Sequence, residues 1–355
     1  MTPSDFVILL VFVGALWQFI HILFSKTPEH NLPPGPPGLP FIGHLHMLGK
    51  LPHRTLFKLS QKYGPIMSIR LGLVPTVIVS SPAAAELFLK THDTVFASRP
   101  SSQASDYLFY GTTGIGFTKY GAHWRSARKL CMLELLNAEK VKSMAGMRRE
   151  DLRLCVESLK KAAASREVVD ISEKVVHLIE DMTCRMLFGK SRDERFDLSA
   201  IVHDIAEDLG AFNIADYIPF LGALNLQGFT KRFQITSEAV DKILETMIDG
   251  HEKDVANGYK KNDRDFLDVI LALKKNPTGT HEQLARNLNQ SNIKAILMDL
   301  IFGAIDASPT AIEWTMSELI RNPRVMKLLQ EEIRDVTHDL PRANHLLAIP
   351  TIHQR

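Results

Sequence analysis

Two stretches of the sequence combine residue types that can do chemistry. The first is His123-Trp124-Arg125-Ser126-Ala127-Arg128, where Trp124 and Arg128 stand four apart. On a helix that spacing puts them side by side on one face. An indole N–H and a guanidinium so placed can both donate to one carboxylate, the guanidinium bidentately. A packed Trp with a stacked Arg satisfies the same spacing, so the pair alone leaves both readings open. The second stretch is Phe302-Gly303-Ala304-Ile305-Asp306-Ala307-Ser308-Pro309-Thr310. Its two small residues leave room beside a helix, and a carboxylate and hydroxyls follow at once. Pro309 lacks the N–H that would bond the carbonyl one turn earlier, which predicts a kink there. Polar groups on a distorted turn of a buried helix are costly to place and commonly mark function.

Other chemistries lack their signatures. There is no phosphate-cradling Gly-rich loop before a helix, no Gly-x-Ser-x-Gly and no His-Glu-x-x-His. The fourteen histidines are scattered. His44 with His46, and His123 beside Trp124, lack the further ligands a metal needs, so no metal is assigned. Cys131, Cys155 and Cys184 are too few and too widely spaced for a disulfide framework or a Cys-x-x-Cys zinc site. They read as small core residues in a reducing compartment. With 42 Lys+Arg against 40 Asp+Glu the formal charge is +2, which provides no broad basic face for nucleic acid. A 45% hydrophobic and 23% charged composition excludes a disordered chain.

The elements that must position these stretches follow from local pattern. Ile66 to Gly72 and Thr76 to Ser80 are β-branched runs around a turn containing Gly72 and Pro75, and they predict a hairpin. Ser81-Pro82 then supplies a cap and a first-turn proline for a helix. From about Gly121 helical spacing dominates, over 121–136, 138–163, 170–189, 196–212, 229–257, 264–274, 281–320 and 322–335. The fold class is mainly α with a small β element near the N-terminus. Within Ile293 to Ile320 apolar residues recur at 293, 296, 297, 300, 301, 305, 312, 316, 319 and 320, which predicts a long helix buried through the centre. A chain of 355 residues suits about two domains or one large helical one.

Phe6 to Phe24 is a run of about nineteen residues without a charge. At a helical rise of about 1.5 Å per residue it can cross a bilayer, and it predicts a retained N-terminal anchor over 1–26. Lys26, Lys50, Arg54 and Lys58 lie after the span and no basic residue lies before it, which favours a cytosolic body. Leu32-Pro33-Pro34-Gly35-Pro36-Pro37-Gly38-Leu39-Pro40 cannot be helix or central strand. Residues 27–41 are therefore expected to be a stiff linker.

Taken in order, the anchor, the Pro-Pro-Gly-Pro-Pro-Gly hinge, Tyr63-Gly64-Pro65, Phe96-Ala97-Ser98-Arg99-Pro100, the Trp124/Arg128 helix and Gly303-Ala304-Ile305-Asp306 resemble the N-terminal two-thirds of a plant-type microsomal cytochrome P450. The resemblance runs over roughly residues 1–335. It implies a membrane-anchored haem monooxygenase that inserts one oxygen atom from O₂ into a small hydrophobic, plant secondary-metabolite-like substrate. It also implies a single-pass anchor in the endoplasmic reticulum membrane and electrons from NADPH through NADPH-cytochrome P450 reductase. By resemblance Trp124 and Arg128 contact a haem propionate, and Gly303 and Ala304 let the helix pass over the haem. Asp306 and Ser308 are the catalytic candidates, and Phe109, Phe117 and Ile305 border the substrate. The family's Phe-x-x-Gly-x-x-x-Cys-x-Gly loop does not occur in these residues, so no Glu-x-x-Arg here is assigned the role of the helix that precedes it. The expectation is thus a P450 domain over 42–336, truncated before the haem-ligand loop and inactive as it stands, followed by a divergent tail over 337–355. Ala307 stands where the family usually carries a threonine. A non-catalytic, membrane-anchored helical protein that binds a ligand or partner is the alternative.

Overall fold

The computed structural model describes Val13, Gly14, Trp17 and residues 32–336, except 112, 194, 258–264 and 276–287. The expected anchor, apart from those three isolated residues, and the 337–355 tail lie outside the described residues. The chain divides into two compact units, Met1–Ser98 with Phe212–Phe229, and Arg99–Ala211 with Thr230–Arg355.

The first unit contains α1 (Pro52–Tyr63), β1 (Ile66–Leu71), β2 (Val74–Val79), α2 (Pro82–Glu86), α3 (Asp93–Phe96) and α10 (Ile214–Tyr217). The strands form an antiparallel hairpin from Ile66 opposite Val79 to Leu71 opposite Val74. Gly72 turns it with φ +61°. Pro75, expected in the turn, instead lies in β2 opposite Arg70. A strand with only one partner tolerates a residue that lacks an N–H. Ser81 caps α2 by accepting from the Ala84 N–H, with Pro82 in the first turn as the sequence predicts.

The proline-rich segment lies along the other edge of β1. Ser68 donates its N–H to the Pro34 carbonyl at 3.0 Å and its hydroxyl to the Pro33 carbonyl at 2.8 Å. His44 donates its N–H to the Arg70 carbonyl at 2.7 Å. Its buried ring accepts from the Arg70 N–H at Nδ1 and donates from Nε2 to the Pro36 carbonyl, both at 2.8 Å. The ring is a structural plug. A Cβ on Gly35 or Gly43 would overlap the carbonyl oxygens of Ser68 and Arg70, which explains the glycines there.

The second unit is helical: α4 (Gln103–Leu108), α5 (Ala122–Leu130), α6 (Ala138–Ser143), α7 (Ala145–Ser165), α8 (Ile171–Phe188), α9 (Leu198–Gly210), α11 (Phe229–Ala256, in this unit from Thr230), α12 (Phe266–Lys275), α13 (Gln290–Ile305), α14 (Ala307–Arg321) and α15 (Pro323–Val336). Side-chain oxygens set several starts: Ser102 with Ser105, Asn137, Asp170, Asp197, and Asn289 with Asn292 each accept a first-turn N–H. Gly189 closes α8 in the left-handed conformation. The predicted 138–163 helix is interrupted at Met144, which turns inward at 5% exposure. α8 is the hub, packing against α7, α13 and α14. Residues 292–298 of α13 are buried, and Leu130, Leu187, Ile205, Phe233, Leu244 and Leu267 fill the surrounding core.

Candidate active site

The loop 109–121 joins α4 to α5 and lies against α13. Gly114 and Gly116 admit the Asp299 carboxylate, which a Cβ at Gly114 would overlap. Asp299 accepts the backbone N–H groups of Ile115 and Gly116 at 2.5 and 3.1 Å. Burial raises its pKa, and the two N–H groups oppose that rise. From the other side Trp124 Nε1 donates to the Ile115 carbonyl at 3.1 Å, and the His123 ring bonds the Thr113 carbonyl at 3.0 Å. Thr118 closes the loop on itself by donating to the Gly114 carbonyl at 2.6 Å. His123, without a metal role, is a loop tie. No local pattern marks Asp299, because a single Asp in an apolar run has no periodicity of its own. The available signal is its cost, a carboxylate within the otherwise apolar run 295–305.

This loop presents an aromatic wall to the helix. Phe109 is 2% exposed, with its ring 4.5 Å from that of Phe117 and 5.3 Å, edge on, from that of Phe302. Such pairs add about 0.5–1.5 kcal/mol beyond the area they bury. Two of the three expected substrate-facing residues are thus brought together, and Phe302 joins them although the sequence assigned it no role. Ile305, the third, is buried one turn further along α13.

The helix breaks where Pro309 requires it. α13 ends at Ile305 and α14 begins at Ala307, since Pro309 has no N–H for the Ile305 carbonyl. Asp306 keeps its own bond to the Phe302 carbonyl at 3.2 Å, and Thr310 donates its hydroxyl to the Asp306 carbonyl at 2.9 Å. The long helix expected to be buried over Ile293 to Ile320 is not buried throughout. The helix is buried only through α13: Asp306, Ala307 and Ser308 are exposed, and on α14 Ile312 and Trp314 are 38% and 64% exposed. Apolar spacing identifies a face that can be covered, whereas coverage depends on neighbours, and those of α14 are α8 and the flanking helices α13 and α15.

Several features bear on whether these residues fit the haem that the resemblance implies. Gly303 is exposed and a Cβ there would meet no atom within 4 Å, so the helix has open space at that turn, with Ala304 half-buried beside it. The exposed Arg128 guanidinium lies over the Trp124 ring at 5.2 Å and bonds no carboxylate among the described residues, leaving its donors available to an anion. The Trp124 indole N–H is already engaged by Ile115, so its contribution is the ring face that orients Arg128. Gly303, Ala304 and Arg128 therefore fit the group. The three cysteines are free; Cys131 and Cys184 are buried and their thiols are pushed up to about 12, chiefly by desolvation. Desolvation also raises Cys155. None is poised as a thiolate.

The family model described as Cytochrome P450 matches residues 33–352. The chain is 53% identical to "Cytochrome P450 CYP736A12" of Panax ginseng over 334 residues, 94% of this chain and 66% of that protein. It is 38% identical to "Costunolide synthase" of Lactuca sativa over 327 residues, 91% and 65% respectively. To "Cytochrome P450 71B35" of Arabidopsis thaliana it is 38% identical over 319 residues, 87% and 62%. The chain spans just under two thirds of the length of these relatives. A mainly helical body with one small two-stranded hairpin agrees with those similarities, and the chain belongs to the cytochrome P450 family.

Proposed function

We propose that these residues form the substrate-facing and oxygen-facing side of a haem monooxygenase acting on a small hydrophobic plant metabolite. The observation that carries the reading is the aromatic wall of Phe109, Phe117 and Phe302 set against a helix turn that is open at Gly303 and followed by Asp306 and Ser308. Relatives named costunolide synthase and norfluorocurarine oxidase support a hydrophobic plant substrate. When bound, haem supplies the activation of O₂ and the insertion of one oxygen atom. Arg128 holds a propionate, with Trp124 behind it. Gly303 and Ala304 leave space for the macrocycle, while the wall and Ile305 orient the substrate and exclude water. Asp306 holds a carboxylate and Ser308 a hydroxyl at the helix break, where protons are to be delivered. Ala307 brings no hydroxyl, and Ser308 points about 100° round the helix from it.

The wider assembly belongs to the same proposal. NADPH-cytochrome P450 reductase supplies electrons, and Phe6 to Phe24 anchors the chain in the endoplasmic reticulum membrane with its body in the cytosol. Residues 27–41 act as the link, 42–336 as the P450 body and 337–355 as a distinct tail. Phe220, Leu224 and Leu226, each more than half exposed within seven residues, support lipid contact.

Haemin titration of the 355-residue chain tests the reading, in a Trp17→Phe/Trp314→Phe background so that Trp124 alone fluoresces. Saturable one-to-one quenching is expected. Arg128→Ala should weaken it about tenfold, the scale of a charge-assisted hydrogen bond, and Gly303→Leu should abolish it. Quenching that does not saturate overturns the reading. The buried, protonated thiols favour a second reading for these 355 residues alone, a non-catalytic anchored protein that binds ligand or partner. On that reading the reduced chain under carbon monoxide lacks the long-wavelength Soret band of thiolate ligation, and a stoichiometric band would exclude it.

A further inference from the structure

We infer that Tyr110, Asp241 and Lys294 form a polar latch that fixes the aromatic wall and so sets the size of substrate admitted. The inference rests on the proposed reading of that wall as a substrate border. Three segments converge on one oxygen: the Tyr110 hydroxyl donates to Asp241 Oδ1 at 2.9 Å, and Lys294 Nζ lies 2.8 Å from the same atom. Lys294 projects from α13, Asp241 from α11, and Tyr110 is the residue after Phe109. Glu245, one turn along α11, is the second carboxylate near the ammonium at 4.0 Å.

The cost of the arrangement points to a positioning role. Lys294 is only 6% exposed, and a lysine is rarely so buried unless it is paired. Tyr110 holds φ +54°, a left-handed backbone unfavourable for a residue with a Cβ. Burial, then Asp241, raise the phenol pKa, so the hydroxyl remains a donor. Lys294 shares a helix face with Met298 and Ile301, and Asp241 adjoins Val240. These three apolar residues line the small apolar cavity between α9, α11 and α13, so the two helices that carry the ion pair also wall that cavity. One turn earlier on α11, Ser237 donates to the Tyr107 carbonyl at 2.9 Å and ties the preceding helix α4 to α11 as well. With Tyr110 tied to α11, and Ile115 and Gly116 to Asp299, Phe109 and Phe117 each stand next to a tied residue.

Hydrogen exchange of the full 355-residue chain, read by mass spectrometry, tests the latch. Tyr110→Phe removes the donor alone. Lys294→Met keeps the side-chain volume and leaves Asp241, whose side chain is 43% exposed, free to hydrate. Each change should speed exchange over 109–118 by about tenfold, the scale of a hydrogen bond to a charged group. The double variant should fall short of the product of the two effects, because both act through one oxygen, and exchange over 145–188 should stay unchanged. Unaltered exchange over 109–118, or equal acceleration over 145–188, would overturn the latch. The size arm compares binding of pyrene and naphthalene by their own fluorescence. Both variants, and Phe109→Ala, should gain pyrene relative to naphthalene severalfold. If Phe109→Ala shifts the ratio and the latch variants do not, the latch does not set size. If Phe109→Ala leaves the ratio unchanged while exchange over 109–118 accelerates, the wall is not the substrate border and the failure lies in the functional reading.

Discussion

The segment 33–43 and the loop 113–118 both lack regular structure, and both carry glycine where another element makes close contact, yet different chemistry holds them. In the first, Gly35 and Gly43 admit the carbonyls of a strand, and backbone groups with a histidine plug make the closure. In the second, Gly114 and Gly116 admit a side chain, and one half-buried carboxylate holds two backbone N–H groups. A backbone partner cannot turn away or change charge. A carboxylate can do both, so the tie that holds the loop facing the candidate site is sensitive to protonation, and the ties that hold the N-terminal segment are not.

The sharpest way to break this contrast is at Gly43. Gly43→Ala forces a Cβ onto the Arg70 carbonyl and into φ +57°. Overpacking together with left-handed strain predicts a loss of about 3 kcal/mol or more in urea unfolding. A loss under about 1 kcal/mol would show that the strand edge yields.

Asp299→Ala is next, expected to cost about 2–3 kcal/mol by leaving the Ile115 and Gly116 N–H groups without their acceptor. Its pH dependence follows from the raised pKa. The folded protein holds the Asp299 proton more readily than the unfolded chain, so this group's contribution grows as pH falls through the raised value and levels off below the ordinary carboxylate pKa. The loss caused by Asp299→Ala should therefore be larger in mild acid than at neutral pH. A pH-independent loss would remove the titratable character of the loop.

Gly114→Ala should cost less, about 1–2 kcal/mol, because the carboxylate can rotate aside at the expense of its hydrogen bonds. In an Asp299→Ala background the same change should be nearly neutral, and additive losses would mean that the glycine serves the backbone instead. The smallest effect is expected for Ser68→Ala. The hydroxyl bond to Pro33 is lost while the backbone bond to Pro34 remains, so the change should stay within about 1 kcal/mol and be insensitive to pH.

What the sequence made legible was local. Ser81-Pro82 started a helix where its types require, Pro309 broke one where its missing N–H requires, and the hairpin formed with its register displaced only around Pro75. The Trp124/Arg128 spacing did place the two side by side, although the indole N–H then turned to Ile115. Phe109 and Phe117 belong to one expected substrate border and do meet, whereas no local pattern marks Phe302 as the third ring. The proline-rich run read as a spacer because its composition excludes helix, and composition alone does not reveal a strand edge waiting beside it.

By itself, then, the sequence determined most of the helical segments, the cap at Ser81, the break ahead of Pro309 and the family. Those depend on backbone donors, φ restrictions and side chains within about four positions of one another, or on motifs read in order. Only the tertiary structure decided which charges are buried and whom they hold. Asp299 and Ile115 are 184 positions apart, and Tyr110 and Asp241 are 131 apart. A carboxylate's role at such separation is set by which donors the fold brings within hydrogen-bond distance of it, and no local pattern encodes that distance.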